Sequence, residues 1–479
     1  MSDAGALRVV SLSGRDAAEC ITEAKIAQDH GADWAEVRLD RWTAKDREKI
    51  ASLFPSPLPL LATFRSREEG GEGSDASDLR ADELARIARQ PFGAVDVELR
   101  RDVCTVPNLV VGHQAGAAPV WVYSAHLPAE ATTAELARLI GEPLPTPGLR
   151  KLVLPCSVSR AVLELLPWFE TLGAPRPVLH STGPSGPLFR AWADRLGMPL
   201  VFASLPADRT RTPVEPSQLP IDRLRRQPMG EPPQPLVALL GDPVLQSPSP
   251  ELFASFWHSE HPPGLYLNLE LPSARTMGSV CRALADRGFV GVSVTRPLKF
   301  EAITLAAAIG SEAARAGCAN LLVFGGDGWR AENTDVRAIR RRWRELEDAT
   351  VPRREPVVVF GAGGAARATA TAAALDGRPV SVLARDTSEF VRWAHASAIT
   401  IVKPPERPAA WVVNSTTVGR PGAGELPESW LDCVGSGTRL LDWVYAPAIP
   451  HLEERAIGRG AVYEDGRRLL LYQASEAFR

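Results

Sequence analysis

Glu36-Val37-Arg38-Leu39-Asp40 decides how the first half of this chain folds. Two apolar residues alternate with three charges, and a strand with period two puts the apolar pair on one face and the charges on the other. One half-exposed strand would tolerate that pattern, but Thr63 and Arg65 repeat it, as do Asp96 and Glu98. Around these residues lie short β-rich runs at 8–12, 34–39, 60–64, 94–99, 120–124, 149–154, 177–180 and 200–203. Helical stretches separate most of them, among them 17–30, 81–89, 134–140, 160–172 and 186–196. Eight strands with crossovers in about 200 residues predict an α/β domain, a (β/α)8 barrel of TIM type. Its strands are covered on both faces, so the charged faces are expected to point into the barrel mouth and hold a polar ligand there. Ser124-Ala125-His126 ends the fifth strand, where such barrels keep catalytic groups. Lys151 lies in the sixth, within the otherwise apolar run LRKLVLP. Pointing inward, it is expected to be partly desolvated, which favours the neutral, nucleophilic amine.

The Pro-rich stretch 225–235, RRQPMGEPPQP, has no apolar period and reads as a linker. Beyond it a second α/β region is expected, with strands at 236–240, 290–294, 356–360, 380–383, 411–413 and 440–444, and helices at 250–258, 364–375 and 467–478. The strand at 356–360 runs into Gly361-Ala362-Gly363-Gly364-Ala365-Ala366 and then an alanine-rich helix. Glycines in that strand–turn–helix setting allow a tight turn and a close backbone approach to a pyrophosphate at the helix N-terminus. Gly361, Ala362, Gly363, Gly364 and Ala365 are therefore expected to cradle a dinucleotide in a Rossmann-type unit. At the end of the next strand Arg385 stands beside Asp386. An arginine there suits a 2′-phosphate and NADP, an acid the ribose hydroxyls of NAD; Arg385 tips the reading to NADP. The expected divisions are 1–228, 235–338, 339–450 and a closing helical segment, 451–479, that returns to the substrate site.

Composition narrows the function. The 479 residues carry 54 basic and 57 acidic side chains, a net charge of −3, with 45% hydrophobic and 23% charged residues. This is a globular composition, without the basic excess of a nucleic-acid binder. No apolar run approaches the roughly 20 residues of a membrane span, and the N-terminus shows no signal or presequence pattern. Six dispersed cysteines with no CxxC pair argue against a disulfide framework or zinc site and for a reducing cytoplasm. Of the 54 basic residues only Lys25, Lys45, Lys49, Lys151, Lys299 and Lys403 are lysine. A chain that uses arginine wherever a permanent charge suffices makes each lysine a candidate for chemistry that needs a removable proton.

The first 225 residues resemble type I 3-dehydroquinate dehydratase. The resemblance rests on Glu36, Arg38 and Asp40, on TFRSREEGGE (63–72), on VDVEL (95–99) and on Ser124 and His126. It implies a Schiff base at Lys151, with His126 moving the proton and Glu36 orienting it, and with Arg38, Arg65 and Arg190 gripping carboxylate and hydroxyl groups. It implies no metal. The family's late APGQ loop is replaced by RTPVEPSQLP (211–220), where Ser217 and Gln218 are the candidate lid residues. The short lead into the first strand suggests that the family's N-terminal hairpin is missing.

Residues 235–479 resemble shikimate dehydrogenase through GDPVLQSPSP (241–250), GVSVTRPLK (291–299), AGCAN (316–320), ENTD (332–335), NSTTVG (414–419), DWVYAP (442–447) and the terminal GRRLLLYQASEAF. The resemblance implies that Ser247 and Ser249 bind a substrate carboxylate, that Thr295, Asn320 and Gln473 contact its hydroxyls, and that Lys299 and Asp335 form the catalytic pair. Ser293, Leu321, Ala384 and Arg420 depart from the residues usual in the family. The physical logic of the pair stands beside the resemblance. Hydride addition to a ketone builds negative charge on oxygen, and a lysine held by a carboxylate supplies both a compensating charge and a proton. The expected function is therefore bifunctional: dehydration of 3-dehydroquinate to 3-dehydroshikimate, then reduction to shikimate with NADPH, acting on small molecules and on neither nucleic acid nor membrane. Two other readings are a second half acting on quinate with NAD, and a metabolite-sensing regulator derived from such domains.

Overall fold

Eight short strands form the first unit: β1 (Leu7–Ser11), β2 (Trp34–Arg38), β3 (Leu60–Thr63), β4 (Ala94–Glu98), β5 (Val120–His126), β6 (Gly148–Pro155), β7 (Val178–Thr182) and β8 (Leu200–Ala203). The structure, a computed structural model of the chain, describes residues 5–111, 119–206, 214–224, 235–260, 264–347, 355–420, 422–445 and 451–478. It divides into two compact units, Met1–Gln234 and Pro235–Arg479. Most of the expected linker, residues 225–234, lies outside the described residues.

The eight strands are parallel, in the order β7-β6-β5-β4-β3-β2-β1-β8, a nearly closed barrel. Its floor is apolar: Val9, Leu61, Ala94, Val122, Val178, Leu200 and Phe202 pack together. One step further along the same strands the side chains turn polar, and Ser11, Glu36, Thr63, Asp96, Ser124, Lys151 and His180 are all buried. Period two explains why: residues i and i+2 share a face, so a strand carries its apolar anchor into the floor and its functional group into the mouth. The two end strands, β7 and β8, are bridged by side chains. Arg190 donates to the carbonyls of Ser181 (2.9 Å) and Phe202 (3.2 Å), and the Phe202 amide donates to His180 Nε2 at 3.4 Å.

The second unit holds two sheets. In the first, β9 (Leu236–Gly241) lies between β10 (Leu265–Glu270) and β11 (Phe289–Val294), all parallel. Beyond β11 come β13 (Leu321–Val323) and β14 (Arg330–Glu332), antiparallel, then β12 (Ala308–Ile309). The other sheet is wholly parallel, in the order β16 (Val380–Leu383), β15 (Val357–Phe360), β17 (Trp411–Asn414), β18 (Arg439–Asp442) and β19 (Val462–Glu464). Its strands read as continuous apolar runs because both faces are covered: Val357, Val359 and Val413 pack on one side, Val358, Phe360 and Val412 on the other. The chain leaves β15 towards β16 on one side and returns to β17 on the other, so the end of β15 is the switch point of a doubly wound sheet.

A continuous helix, Thr334–Leu346, runs through residues 338 and 339, where the sequence suggested a division. The closing helix Arg467–Phe478 packs against it: Tyr472 Oη donates to Glu345 at 2.6 Å, and the Tyr472 ring lies 4.0 Å under the Arg341 guanidinium. The same helix places Phe478 against Phe253 of the helix Ser249–Glu260 (centroids 6.3 Å apart).

Candidate active sites

The barrel mouth encloses a cavity of about 520 Å³ lined by Glu36, Arg38, Arg65, His126, Lys151 and Arg190, all six of the residues singled out there. Lys151 faces inward and is buried, and its amine meets carboxylates as well as an aromatic ring. Its Nζ lies 3.3 Å from Asp96 and 3.8 Å from Glu36, and 4.0 Å above the ring of Phe202. The neighbours in sequence alternate away from it; the groups it meets come from β2, β4 and β8. Asp96 also accepts from Arg65 (2.8 Å) and Ser124 Oγ (2.6 Å). Burial alone would push its carboxyl up, but Arg65 and Lys151 outweigh burial and hold it well below the usual carboxylate range.

Glu36 does not orient His126. Its two oxygens accept from Ser11 Oγ (2.6 Å) and Thr63 Oγ1 (2.8 Å). The carboxylate on the histidine is Glu69, which meets both the backbone N–H (3.0 Å) and Nδ1 (3.1 Å) of His126. Glu69 follows β3 within TFRSREEGGE, a stretch containing three glutamates, and spacing alone does not say which of them turns back to the mouth. Burial, reinforced by the charges of Arg65 and Lys151, holds the His126 imidazole well below its ordinary value. It is thus neutral and able to accept a proton. Burial raises the Glu69 carboxyl, against the pull of Arg65.

The arginines are more committed than expected. Arg65 meets Asp96, Glu69, Glu98 and Ser124, and Arg38 is bidentate to Asp40 at 2.9 and 2.8 Å. Arg190 donates to three backbone carbonyls and, at 3.1 Å, to the Glu215 carboxylate. Gln218 lines the cavity and donates to Ser11 Oγ at 3.0 Å. Ser217 instead packs against Gly186, and its hydroxyl bonds Glu215. Of the two lid candidates, only Gln218 reaches the mouth.

In the second unit a cavity of about 410 Å³ brings together Ser247, Ser249, Thr295, Lys299, Asn320, Asp335 and Gln473 with Gly363, Gly364 and Ala365. Lys299 Nζ donates to Asp335 Oδ2 at 2.6 Å. Asn320 Nδ2 donates to Asp335 Oδ1 (2.9 Å) and to Thr334 Oγ1 (2.9 Å), while Gln473 Oε1 lies 3.4 Å away. The two serine hydroxyls are 3.0 Å apart. The residues come from both sheets and from the closing helix, about 230 positions apart in the chain, which is why only their motifs and not their proximity can be read from sequence.

The glycine turn fits a dinucleotide on local grounds. Gly361 has φ +100°, which L side chains rarely adopt, and its N–H bonds the Leu383 carbonyl. A Cβ on Gly364 would come within 2.9 Å of Lys299 Cδ, so this glycine lets the lysine lie against the start of the helix Gly364–Leu375. Asp386 accepts from the Ser388 N–H (2.9 Å) and hydroxyl (2.7 Å). Those bonds lower its carboxyl and occupy it at the start of the helix Ser388–Ala396. Arg385 is exposed and makes no hydrogen bond or ion pair among the described residues.

Sequence reasoning passed over Tyr266 and Tyr445, both on the cavity wall. Tyr266 stacks on Phe253 (4.3 Å, 25°), and burial pushes its phenol up despite hydrogen bonds to Ser293 and Ser249. Tyr445 faces the Arg420 guanidinium at 5.6 Å. No group of three or more metal-ligating side chains occurs among the described residues, and no helix there is long and apolar enough to cross a membrane.

A barrel with a buried lysine in its mouth, joined to a doubly wound unit with a lysine–aspartate pair beside a glycine turn, defines a two-enzyme chain. Family models agree: Type I 3-dehydroquinase matches residues 8–227, and the shikimate dehydrogenase substrate binding domain matches residues 239–322. The shikimate dehydrogenase (NADP(+)) of Dinoroseobacter shibae is 34% identical over 253 residues, covering 51% of this chain and 90% of the relative. The chain belongs to the type I 3-dehydroquinase family in its first unit and to the shikimate dehydrogenase family in its second. It is a bifunctional shikimate-pathway enzyme, a lyase and an oxidoreductase on one polypeptide. Among solved structures, Thermus thermophilus shikimate 5-dehydrogenase, in complex with NADP(H) and shikimate, is 29% identical (51% of this chain, 92% of that one, TM-score 0.45). The dehydroquinate dehydratase and shikimate dehydrogenase of S. pombe is 21% identical, covering 100% of this chain and 95% of that one, with TM-score 0.42.

Proposed function

We propose that Lys151 condenses with the ketone of 3-dehydroquinate and that the resulting iminium draws electrons from the adjacent C–H bond. Neutral His126, held by Glu69, takes that proton and returns it to the departing hydroxyl, so one imidazole acts as base and then as acid. Asp96 and Glu36 balance the charge of the lysine and of its iminium. Arg190, which shares the cavity with Gln218, is positioned to hold the substrate carboxylate once Glu215 is displaced. The iminium is the electron sink, and no step calls for a metal.

In the second unit the 3-dehydroshikimate carboxylate rests on Ser247 and Ser249, and Thr295, Asn320 and Gln473 meet its hydroxyls. NADPH, when bound, supplies the hydride; Gly361, Ala362, Gly363, Gly364 and Ala365 would cradle its pyrophosphate and Arg385 its 2′-phosphate. Lys299 stabilises the charge that grows on the ketone oxygen and gives it a proton, while Asp335 keeps the ammonium aimed. NADP is favoured over NAD because Asp386 is occupied by Ser388 and Arg385 is free among the described residues. The six cysteines are all free, which suits a cytoplasmic enzyme.

One observation carries the proposal: each unit has a cavity with a lysine paired to a carboxylate, and every nominated site residue except Arg385 and the turn residues Gly361 and Ala362 lines one of the two. The test is to mix the purified chain with 3-dehydroquinate and NADPH and follow absorbance while identifying the product. Shikimate formed with NADPH consumed is the expected result. If nothing is consumed from either 3-dehydroquinate or 3-dehydroshikimate, the proposal fails.

A further inference from the structure

His180 lies on β7, directly opposite Val153 of β6 and therefore one inward-facing step nearer the mouth than the Val178 that opposes Lys151. It is 1% exposed and lines the barrel cavity. Its ring meets Phe202 edge-on at 5.9 Å, the same ring that carries Lys151 Nζ at 4.0 Å on its face. The imidazole and the amine thus share one wall of the mouth. Because the Phe202 amide donates to Nε2, Nε2 is the unprotonated nitrogen and Nδ1 carries the hydrogen. Among the described residues that buried Nδ1–H makes no hydrogen bond of good geometry, the Leu179 backbone being the smallest of the influences on the ring. A buried donor left unmet is costly, so one on the same wall as a reactive amine suggests a ligand that completes it.

We infer that His180 Nδ1–H is a hydrogen-bond donor to the ketone oxygen of the substrate while Lys151 adds to it, and to the carbinolamine hydroxyl that follows. This deepens the lysine mechanism above and rests on it. The step balances with the groups already in the mouth. The lysine ammonium passes one proton to an adjacent carboxylate, Glu36 or Asp96, and the free amine forms the C–N bond as the carbonyl π bond opens. That proton and a second one released from the nitrogen end on the oxygen, the C–O bond breaks, and iminium and one water result. His180 transfers no proton. Burial and the neighbouring positive charges of Arg190 and Lys151 hold its imidazole well below the ordinary value, so it stays neutral and polarises the carbonyl as a donor only.

His180→Asn and His180→Gln test this in the full chain. The asparagine amide presents an N–H near the position of Nδ1, and the glutamine amide one near Nε2. The readout is the rate at which 3-dehydroquinate is trapped on Lys151 by borohydride, followed by intact mass after rapid mixing. Loss of a preorganised donor predicts trapping about a hundredfold slower in His180→Gln, with His180→Asn within about threefold of the parent. Equal rates in parent and His180→Gln would overturn the inference, as would equal slowing of both variants, which is what a merely structural histidine at the β7–β8 seam would show. Absence of any adduct in the parent protein would instead sink the lysine mechanism, and this inference with it.

Discussion

Each unit sets a lysine against carboxylates, and the two settings differ in what they ask of it. Lys151 sits inside one barrel, 5% exposed, between Asp96 and Glu36, with the charge network of Arg65 behind Asp96. Lys299 stands where two sheets and a closing helix meet, with Asp335 at 2.6 Å as its one carboxylate partner among the described residues. In the proposed mechanism the first gives up protons to become a nucleophile, and it is surrounded by groups that can absorb charge as it changes. The second must keep a proton until the ketone needs it, and a single short ion pair suffices. On that mechanism a network serves a residue that bonds covalently to the substrate and moves several protons; a simple pair serves one that passes on a single proton.

The largest test of this contrast is to remove each lysine. Lys151→Ala should lower dehydration by about a thousandfold or more and leave reduction of 3-dehydroshikimate unchanged; Lys299→Ala should do the reverse. Loss of both activities in either folded variant would break the division between the units. Within the network, Glu69→Gln should lower dehydratase kcat about a hundredfold because the base loses its anchor, whereas Glu36→Gln should act about tenfold and mostly on KM. Equal effects would return Glu36 to the role that the sequence suggested.

In the reductase, Arg385→Ala should raise KM for NADPH about tenfold and leave that for NADH nearly unchanged, measured with both cofactors at saturating 3-dehydroshikimate. The pH dependence sharpens the barrel side. A base whose pKa is lowered stays neutral to lower pH, so the acidic limb of dehydratase kcat should fall below about pH 6.5 rather than at it. A limb at or above that value would show that His126 is not the group being titrated. The smallest effect is expected at Glu215, whose carboxylate competes for Arg190: Glu215→Gln should lower KM for 3-dehydroquinate about threefold. A higher KM would instead make Glu215 part of the binding site.

How much of this was legible in sequence differs between the units in the same way. All eight barrel strands were expected within about two residues of their observed ends, because alternation leaves a local trace in every strand. The glycine turn was equally legible, since GxGxx[GA] between a strand and a helix states its own geometry. The partner of His126 was not. Glu36 and Glu69 are both acids near barrel strands, and only the closure of the barrel brings one to the imidazole and the other to Ser11 and Thr63. Arg190 was read as an open carboxylate clamp because nothing local shows that Glu215, 25 residues on, already occupies it.

The sequence by itself determined the elements and their chemistry: the period-two strands, the glycine turn, the scarce lysines and the motifs that mark two enzyme families. Those signals are local, written in spacings of two to six residues. Only the tertiary structure decided which charges meet: Asp96 and Glu36 at Lys151, Glu69 on His126, Gln218 rather than Ser217 in the mouth, Ser388 on Asp386, and His180 on the same cavity wall as Lys151. The physical reason is that a charge is paired by whatever lies within a few ångströms, and barrel closure and sheet packing choose those neighbours from anywhere along the chain.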